Sequence, residues 1–407
     1  MATVHNIMGY KVVLNKTNIQ RISVESAVNA GFLHETRETA GINHLLEHVL
    51  TEGWQKCGTS CSEFWSTKGV RMNASTDETI MMYYVKGLVE DLAAMVQYIA
   101  AITTHPIMHK TTVVKEKQAV IDELLTYGSE PSAKLDSALN HILYQNGLEY
   151  KDDWKLQIQN LKKLSLKDIQ KVYLKEFTPA NVVFVVSGAF SPSAVIAHFR
   201  KALPHQTVPI GQRIDARAFT WTHEIRYVPD EMATSLVVLA IPSEVYADSV
   251  LVPVVTAVLG DILFNELRTK RQLVYGVHVN SNTTTCGTLL QFKIYVRPTN
   301  LVECLRVLVA QVNQCLHGFP EARLTAVKKR MRQKYAVSVP DAEFYATQHV
   351  ISPDFIISVD ALQEVYAKAT VSAVVQTMRT LIHWEHAACV YEGQKDIALT
   401  WAKIGIL

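Results

Sequence analysis

Short strand-like runs alternate along this chain with longer stretches whose apolar residues recur every three or four positions. Residues 10–14 read as a strand near the N-terminus, and 23–31 as a second. A turn and a helix through 44–51 follow. Strands are expected around 70–74 and 80–85, then a helix over about 89–103 and a Lys/Glu-rich helix over 112–125. The stretch 181–187, ending in Gly188, is predicted to be the strand that closes the first domain.

The second half offers the same order: a strand at 235–241, a helix at 249–269, and strands at 275–282 and 289–296. These last two form a hairpin across a polar Asn-Thr-Thr-Thr-Cys-Gly turn. Helices at about 301–316 and 321–335 complete the repeat. A period near 205 to 215 residues indicates duplicated domains rather than a solenoid. Hairpins mixed with helices predict an α+β fold, each domain a mostly antiparallel sheet packed with helices. Residues 205–230 are polar, carry Pro209 and Pro229, and lack periodicity, so they are the expected linker. The expected domains are therefore 1–204 and 231–407.

Only the first half carries the chain's sharpest chemical signal, His44-Leu45-Leu46-Glu47-His48. This H-x-x-E-H pattern is the inverse of the zinc-protease H-E-x-x-H. On a helix, His44 and His48 are one turn apart on one face, so two imidazoles can grip one Zn²⁺. Glu47 lies on the same side, within reach of a water at the metal. The pattern points to a metal-dependent hydrolase, a peptidase. Two histidines do not complete a zinc site, and a carboxylate from a later helix would. Val113, Val120 and Leu124 recur at helical spacing there, with Glu116 and Glu123 two turns apart and facing the same way. Either can face the histidines, and spacing does not choose between them.

H-x-x-E-H followed about 75 residues later by E-x(6)-E resembles the pitrilysin/insulysin/mitochondrial-processing-peptidase family of zinc metallopeptidases, in its short two-domain form. The resemblance implies His44, His48 and Glu123 as ligands of one zinc per chain. It also implies Glu47 as general base and Glu116 as a supporting residue near the site. The stretch 69–79 is similar to the family's G-x-x-x-N-A-x-T-x-x-T strand, where the backbone of Asn73 and Ala74 would pair with bound substrate at a sheet edge. Residues 267–275 are similar to its L-R-x-K-x-x-L-x-Y motif. That likeness implies Arg268 holding the substrate backbone and Tyr275 donating to a developing oxyanion. One departure follows the zinc helix, where the family's apolar-Lys-Gly-Thr run is replaced by 50–59, Leu-Thr-Glu-Gly-Trp-Gln-Lys-Cys-Gly-Thr.

The implied activity is that of a zinc-dependent endopeptidase acting on extended peptides in a closed chamber. A catalytically inactive structural or processing-complex subunit of the same fold is the alternative. Retention of H-x-x-E-H, Glu123, Arg268 and Tyr275 together argues against it. Because both motif sets lie on one chain, the resemblance implies a homodimer, with a heterodimer with an inactive relative as the other arrangement.

At 407 residues the chain is long enough for two substantial cores, and 48% apolar with 19% charged residues is ordinary for a globular protein. A net charge of +2, with both signs interspersed, gives no reason to invoke nucleic acid or an anionic membrane. The first 16 residues lack signal or transit character, and the longest apolar run is broken by Pro253 and Asp261. The expectation is a soluble intracellular protein without a transmembrane segment. Six cysteines make no disulfide framework. Cys57 and Cys61, in C-x(3)-C, are expected to be idle or buried thiols, with metal binding or a response to oxidants as the alternative. Asn73-Ala74-Ser75 is a glycosylation sequon on the proposed substrate edge, which favours a compartment without glycosylation.

Overall fold

The computed structural model describes residues 2–58, 60–144, 153–204, 223–244, 250–337, 342–352 and 357–406. Its first sheet contains β1 (Thr3–Ile7), β2 (Tyr10–Lys16), β3 (Ile22–Val28), β4 (Arg71–Thr76), β5 (Met81–Gly87) and β6 (Val182–Gly188), in the order β1-β2-β6-β3-β5-β4. The second contains β7 (Ile225–Pro229), β8 (Ser235–Ser243), β9 (Val274–Thr284), β10 (Gly287–Val296) and β11 (Ala388–Gly393), in the order β7-β11-β8-β10-β9. In each sheet one pair is parallel, β2 with β6 and β7 with β11, and the other pairs are antiparallel. The two sheets thus share one topology, with β1 added to the first.

The helices, in chain order, are α1 (Ile42–Thr51), α2 (Cys61–Thr67), α3 (Leu92–Thr104), α4 (Lys110–Gly128), α5 (Pro131–Leu143), α6 (Trp154–Lys163), α7 (Leu166–Glu176), α8 (Pro192–Ala202), α9 (Val252–Leu263), α10 (Leu301–Cys315), α11 (Glu321–Val337), α12 (Ala342–Ile351), α13 (Val359–Lys368), α14 (Val371–Leu381) and α15 (Trp401–Ile404). The chain divides into two compact units. The first holds the first sheet with α1 to α4, α6 to α8 and α12; the second holds the second sheet with α5, α9 to α11 and α13 to α15.

Two helices are therefore exchanged relative to a division into 1–204 and 231–407. Helix α5 precedes residue 204 yet packs on β7, β8 and β11, while α12 lies in the second half yet packs on β3 and β6. The reason is visible in the first sheet. All seven residues of β3 and all seven of β6 are buried, so both faces of the sheet need a cover. Ser26 on one face meets Thr103 of α3, Oγ to Oγ1 at 2.7 Å. Met82, which pairs with Ala27 on the other face, meets Thr347 of α12. An amphipathic pattern states that a helix has an apolar face, not which sheet will cover it.

Residues 205–222 of the expected linker lie outside the described residues. Residues 225–229, also expected within it, form the edge strand β7, where Pro229 at the strand end costs no ladder hydrogen bond. Strands β4 and β9 are the opposite edges of their sheets, each bonded to one neighbour. Among the described residues no helix is long and apolar enough to cross a membrane.

Candidate functional site

Helix α1 is held at its start by a backbone device. Gly41 adopts φ +93°, and a Cβ there would lie 3.2 Å from the Gln157 side chain. The backbone N–H groups of Gly41 and Asn43 donate to Glu35 Oε2 and Oε1 at 2.9 and 2.8 Å, satisfying the helix's first donors. The Asn43 side chain donates to the Gly31 carbonyl at 2.9 Å. Gly31 tolerates no side chain, since a Cβ would sit 2.2 Å from the Asp77 carbonyl oxygen. Ile42, Leu45, Leu46, Val49 and Leu50 are buried, which leaves His44 and His48 on the half-exposed face.

The two imidazoles stand edge to face, with ring centroids 5.0 Å apart. Glu123 Oε2, from α4, lies 3.3 Å from His44 Nε2 and 3.6 Å from His48 Nε2. The three donor groups converge within 4.8 Å of one another. Zinc bonds of about 2.0–2.1 Å in a tetrahedron set neighbouring donors about 3.4 Å apart, so the carboxylate-to-imidazole spacings suit that ion. Burial, with His48 beside it, pushes the His44 imidazole down to about 4. At neutral pH its ring is neutral and its lone pair is free for a cation.

Glu116 faces the same histidines, on a different atom. Its Oε2 lies 3.2 Å from His48 Nδ1, the nitrogen turned away from Glu123, and its Oε1 lies 3.1 Å from Lys115 Nζ. Both carboxylates that spacing allowed are thus present, one on Nε2 and one behind on Nδ1. Glu47 is buried, and burial pushes its carboxyl above the usual range while Thr76 and His48 pull it back. Thr76 Oγ1 donates to Glu47 Oε2 at 2.6 Å. Thr76 is a site residue that single-sequence reasoning did not single out, although the N-A-x-T stretch contained it. Asn73 and Ala74 lie on the same strand, β4, at the open sheet edge.

The departure at 50–59 has a structural consequence. The segment turns through Gln55–Cys57 and Gly58 at φ +69°, which brings the Cys57 and Cys61 Cα atoms to 4.6 Å. The two cysteines form a disulfide, correcting the expectation of idle thiols. The other four cysteines form no disulfide and are buried. Trp54, Phe64, Trp65 and Tyr98 cluster around this loop. Tyr98 Oη donates to the carbonyl of Thr51, the last residue of α1.

Arg268 and Tyr275 come together in the second unit. Helix α9 runs into a wide π turn, Phe264–Lys270, which carries Arg268, and Tyr275 is the second residue of the edge strand β9. Arg268 Nη1 donates to the Val274 carbonyl at 3.0 Å. Tyr275 is half exposed, and its hydroxyl accepts from Arg297 Nε at 3.1 Å. Arg297, too, was not marked by any sequence motif. These side chains line a cavity of about 490 Å³.

Residues 11–151 match the family model described as insulinase (peptidase family M16), and residues 163–331 the model described as peptidase M16 inactive domain. An uncharacterized zinc protease of Streptomyces coelicolor is 22% identical over 296 residues, covering 69% of this chain and 64% of the relative. The uncharacterized zinc protease YmxG of Bacillus subtilis is 27% identical over 191 residues, 46% of each chain. This chain therefore spans about half to two thirds of the length of these relatives. A protease structure from Helicobacter pylori superimposes with a TM-score of 0.82 at 17% identity, over 96% of this chain and 99% of that one, which establishes the shared fold. By the two matched segments, which together span most of its length, the chain belongs to the insulinase family, peptidase family M16.

Proposed function

We propose that the chain is a zinc-dependent endopeptidase that hydrolyses extended peptides. His44, His48 and Glu123 would hold one zinc ion per chain. The observation that carries this reading is the convergence of those three donor groups, two of them on α1, the helix that also carries Glu47. Zinc bound there would act as a Lewis acid toward a scissile carbonyl and toward water.

The remaining roles belong to the chain's own residues. Glu47 takes a proton from the attacking water and delivers it to the leaving nitrogen. The Thr76 hydroxyl fixes one oxygen of that carboxylate and leaves the other for the transfer. Glu116 holds the His48 ring from behind. The open edge of β4 supplies backbone groups at Asn73 and Ala74 for an added strand of substrate. Tyr275 donates to the developing oxyanion and Arg268 steadies the substrate backbone. One chain bears both residue sets, so copies are proposed to pair as a homodimer whose closed chamber selects flexible substrates.

The test is the Glu47→Gln variant assayed on a fluorogenic peptide, with zinc content measured in parallel. Zinc is expected to remain while turnover falls by about 10²- to 10⁴-fold. Wild-type turnover in the variant, or cleavage by the wild type that survives a chelator, overturns the mechanism. An active preparation that light scattering finds monomeric overturns the pairing.

A further inference from the structure

We propose that Arg297 and Arg268 form a carboxylate-binding subsite around Tyr275, giving the chain a preference for peptides that present a carboxylate there. This deepens the peptidase reading and rests on it.

The cavity holding these residues has donors in excess. Arg268 spends one Nη1 proton on the Val274 carbonyl, and Arg297 spends its Nε proton on the Tyr275 hydroxyl. Because Tyr275 accepts from Arg297, its own O–H remains to be donated. Among the described residues neither guanidinium has a carboxylate at ion-pair distance. Three acids of this unit are engaged elsewhere: Glu266 holds Lys270 and Arg271, Glu224 holds Arg226, and Asp261 holds Arg330. Among the described residues, the two guanidiniums lining this cavity therefore have no acidic partner. The planar fork of arginine matches a carboxylate through two parallel hydrogen bonds, a geometry no backbone carbonyl can fill. Arg297 also stands over the Tyr275 ring, 5.8 Å from its centroid, so the guanidinium is braced before a ligand arrives.

The carboxylate of a peptide substrate has two sources, an acidic side chain or the chain terminus, and the experiment separates them. The full-length Glu47→Gln protein, loaded with zinc, is titrated by fluorescence anisotropy with three labelled peptides of one sequence. The first has an internal Glu and an amidated end, the second Gln and an amidated end, and the third Gln and a free C-terminal carboxylate. At least one carboxylate peptide is expected to bind about tenfold more tightly than the neutral one, and which one identifies the source. Adding Arg297→Gln should reduce that ratio to near one, and Arg297→Lys should restore part of it. Equal binding of all three peptides overturns the proposal. A ratio that persists in Arg297→Gln does so as well, and equal weakening of all three peptides by that variant would make Arg297 a positioning residue for Tyr275 instead. These outcomes leave untouched whether the wild-type chain cleaves peptide, so this proposal and the peptidase reading fail separately.

Discussion

Removing the carboxylate behind His48 tests the site more sharply than removing a ligand. Glu116 is 7% exposed and lies 3.2 Å from His48 Nδ1. In Glu116→Gln the amide oxygen can still accept from Nδ1–H, but the negative charge that strengthens His48 as a donor is lost. Supporting residues of this kind are worth about 10- to 100-fold in metal affinity, roughly 1.4 to 2.7 kcal/mol. Glu116→Ala also leaves a partly buried N–H without a partner, which costs about 1–3 kcal/mol more. Glu123→Ala removes an oxygen 3.3 and 3.6 Å from the two Nε2 atoms and should abolish tight binding. The expected order of loss is Glu123→Ala, then Glu116→Ala, then Glu116→Gln, read by competition with a chromophoric chelator at fixed pH and salt. Wild-type affinity in both Glu116 variants refutes the supporting role. A greater loss in Glu116→Ala than in Glu123→Ala refutes the assignment of the third ligand.

Three further outcomes are expected. Burial pushes both Glu35 and Glu176 up to about 8, so between about pH 4.5 and 8 the folded chain keeps protons that the unfolded chain has released. Stability measured by urea denaturation in chelator should therefore fall as pH rises through that window, and Glu176→Gln should flatten the fall; stability that rises from pH 5 to 8 contradicts this. Gly31→Ala forces a Cβ to 2.2 Å from the Asp77 carbonyl oxygen and should cost about 3 kcal/mol or more by thermal or chemical denaturation. Cys57→Ser opens a small covalent loop, and loop-closure entropy puts the loss near 2 kcal/mol, to be matched by adding reductant to the wild type.

What the sequence revealed, and what it hid, divides by range. The i, i+4 spacing of His44 and His48 fixed their common face because a helix turn is local. The i, i+7 spacing of Glu116 and Glu123 placed both carboxylates toward the histidines but could not rank them. The structure explains the tie: each has a partner, on opposite nitrogens of His48. Strand-like runs likewise marked β4, β5, β9 and β10. Long-range choices left no such trace. Whether α5 covers the second sheet and α12 the first depends on which buried face needs a lid. Whether Cys57 and Cys61 meet depends on a positive φ at Gly58. Thr76 and Arg297 act through single hydrogen bonds to Glu47 and Tyr275, and no periodicity announces a single bond.

The duplication orders these pieces further. In the first repeat α1 follows β3 and leads to the edge strand β4; in the second α9 follows β8 and leads to the edge strand β9. Helix α1 is thus the counterpart of α9, and β4 of β9. The chemistry sits at matching places in both repeats, on that helix or its run-on turn and on that edge strand. His44, Glu47 and His48 share α1, with Thr76, Asn73 and Ala74 on β4. Arg268 lies in the turn that extends α9, with Tyr275 on β9. An open edge strand is a hazard that folds usually guard with polar or charged residues. Strand β4 keeps its edge open but exposes Arg71, Asn73 and Ser75 along it, a surface wet enough to stay soluble and still able to pair with an extended chain. The duplicated scaffold thus leaves the corresponding edge strand open in both repeats. Among the described residues, the candidate metal-donor group lies in the first repeat alone.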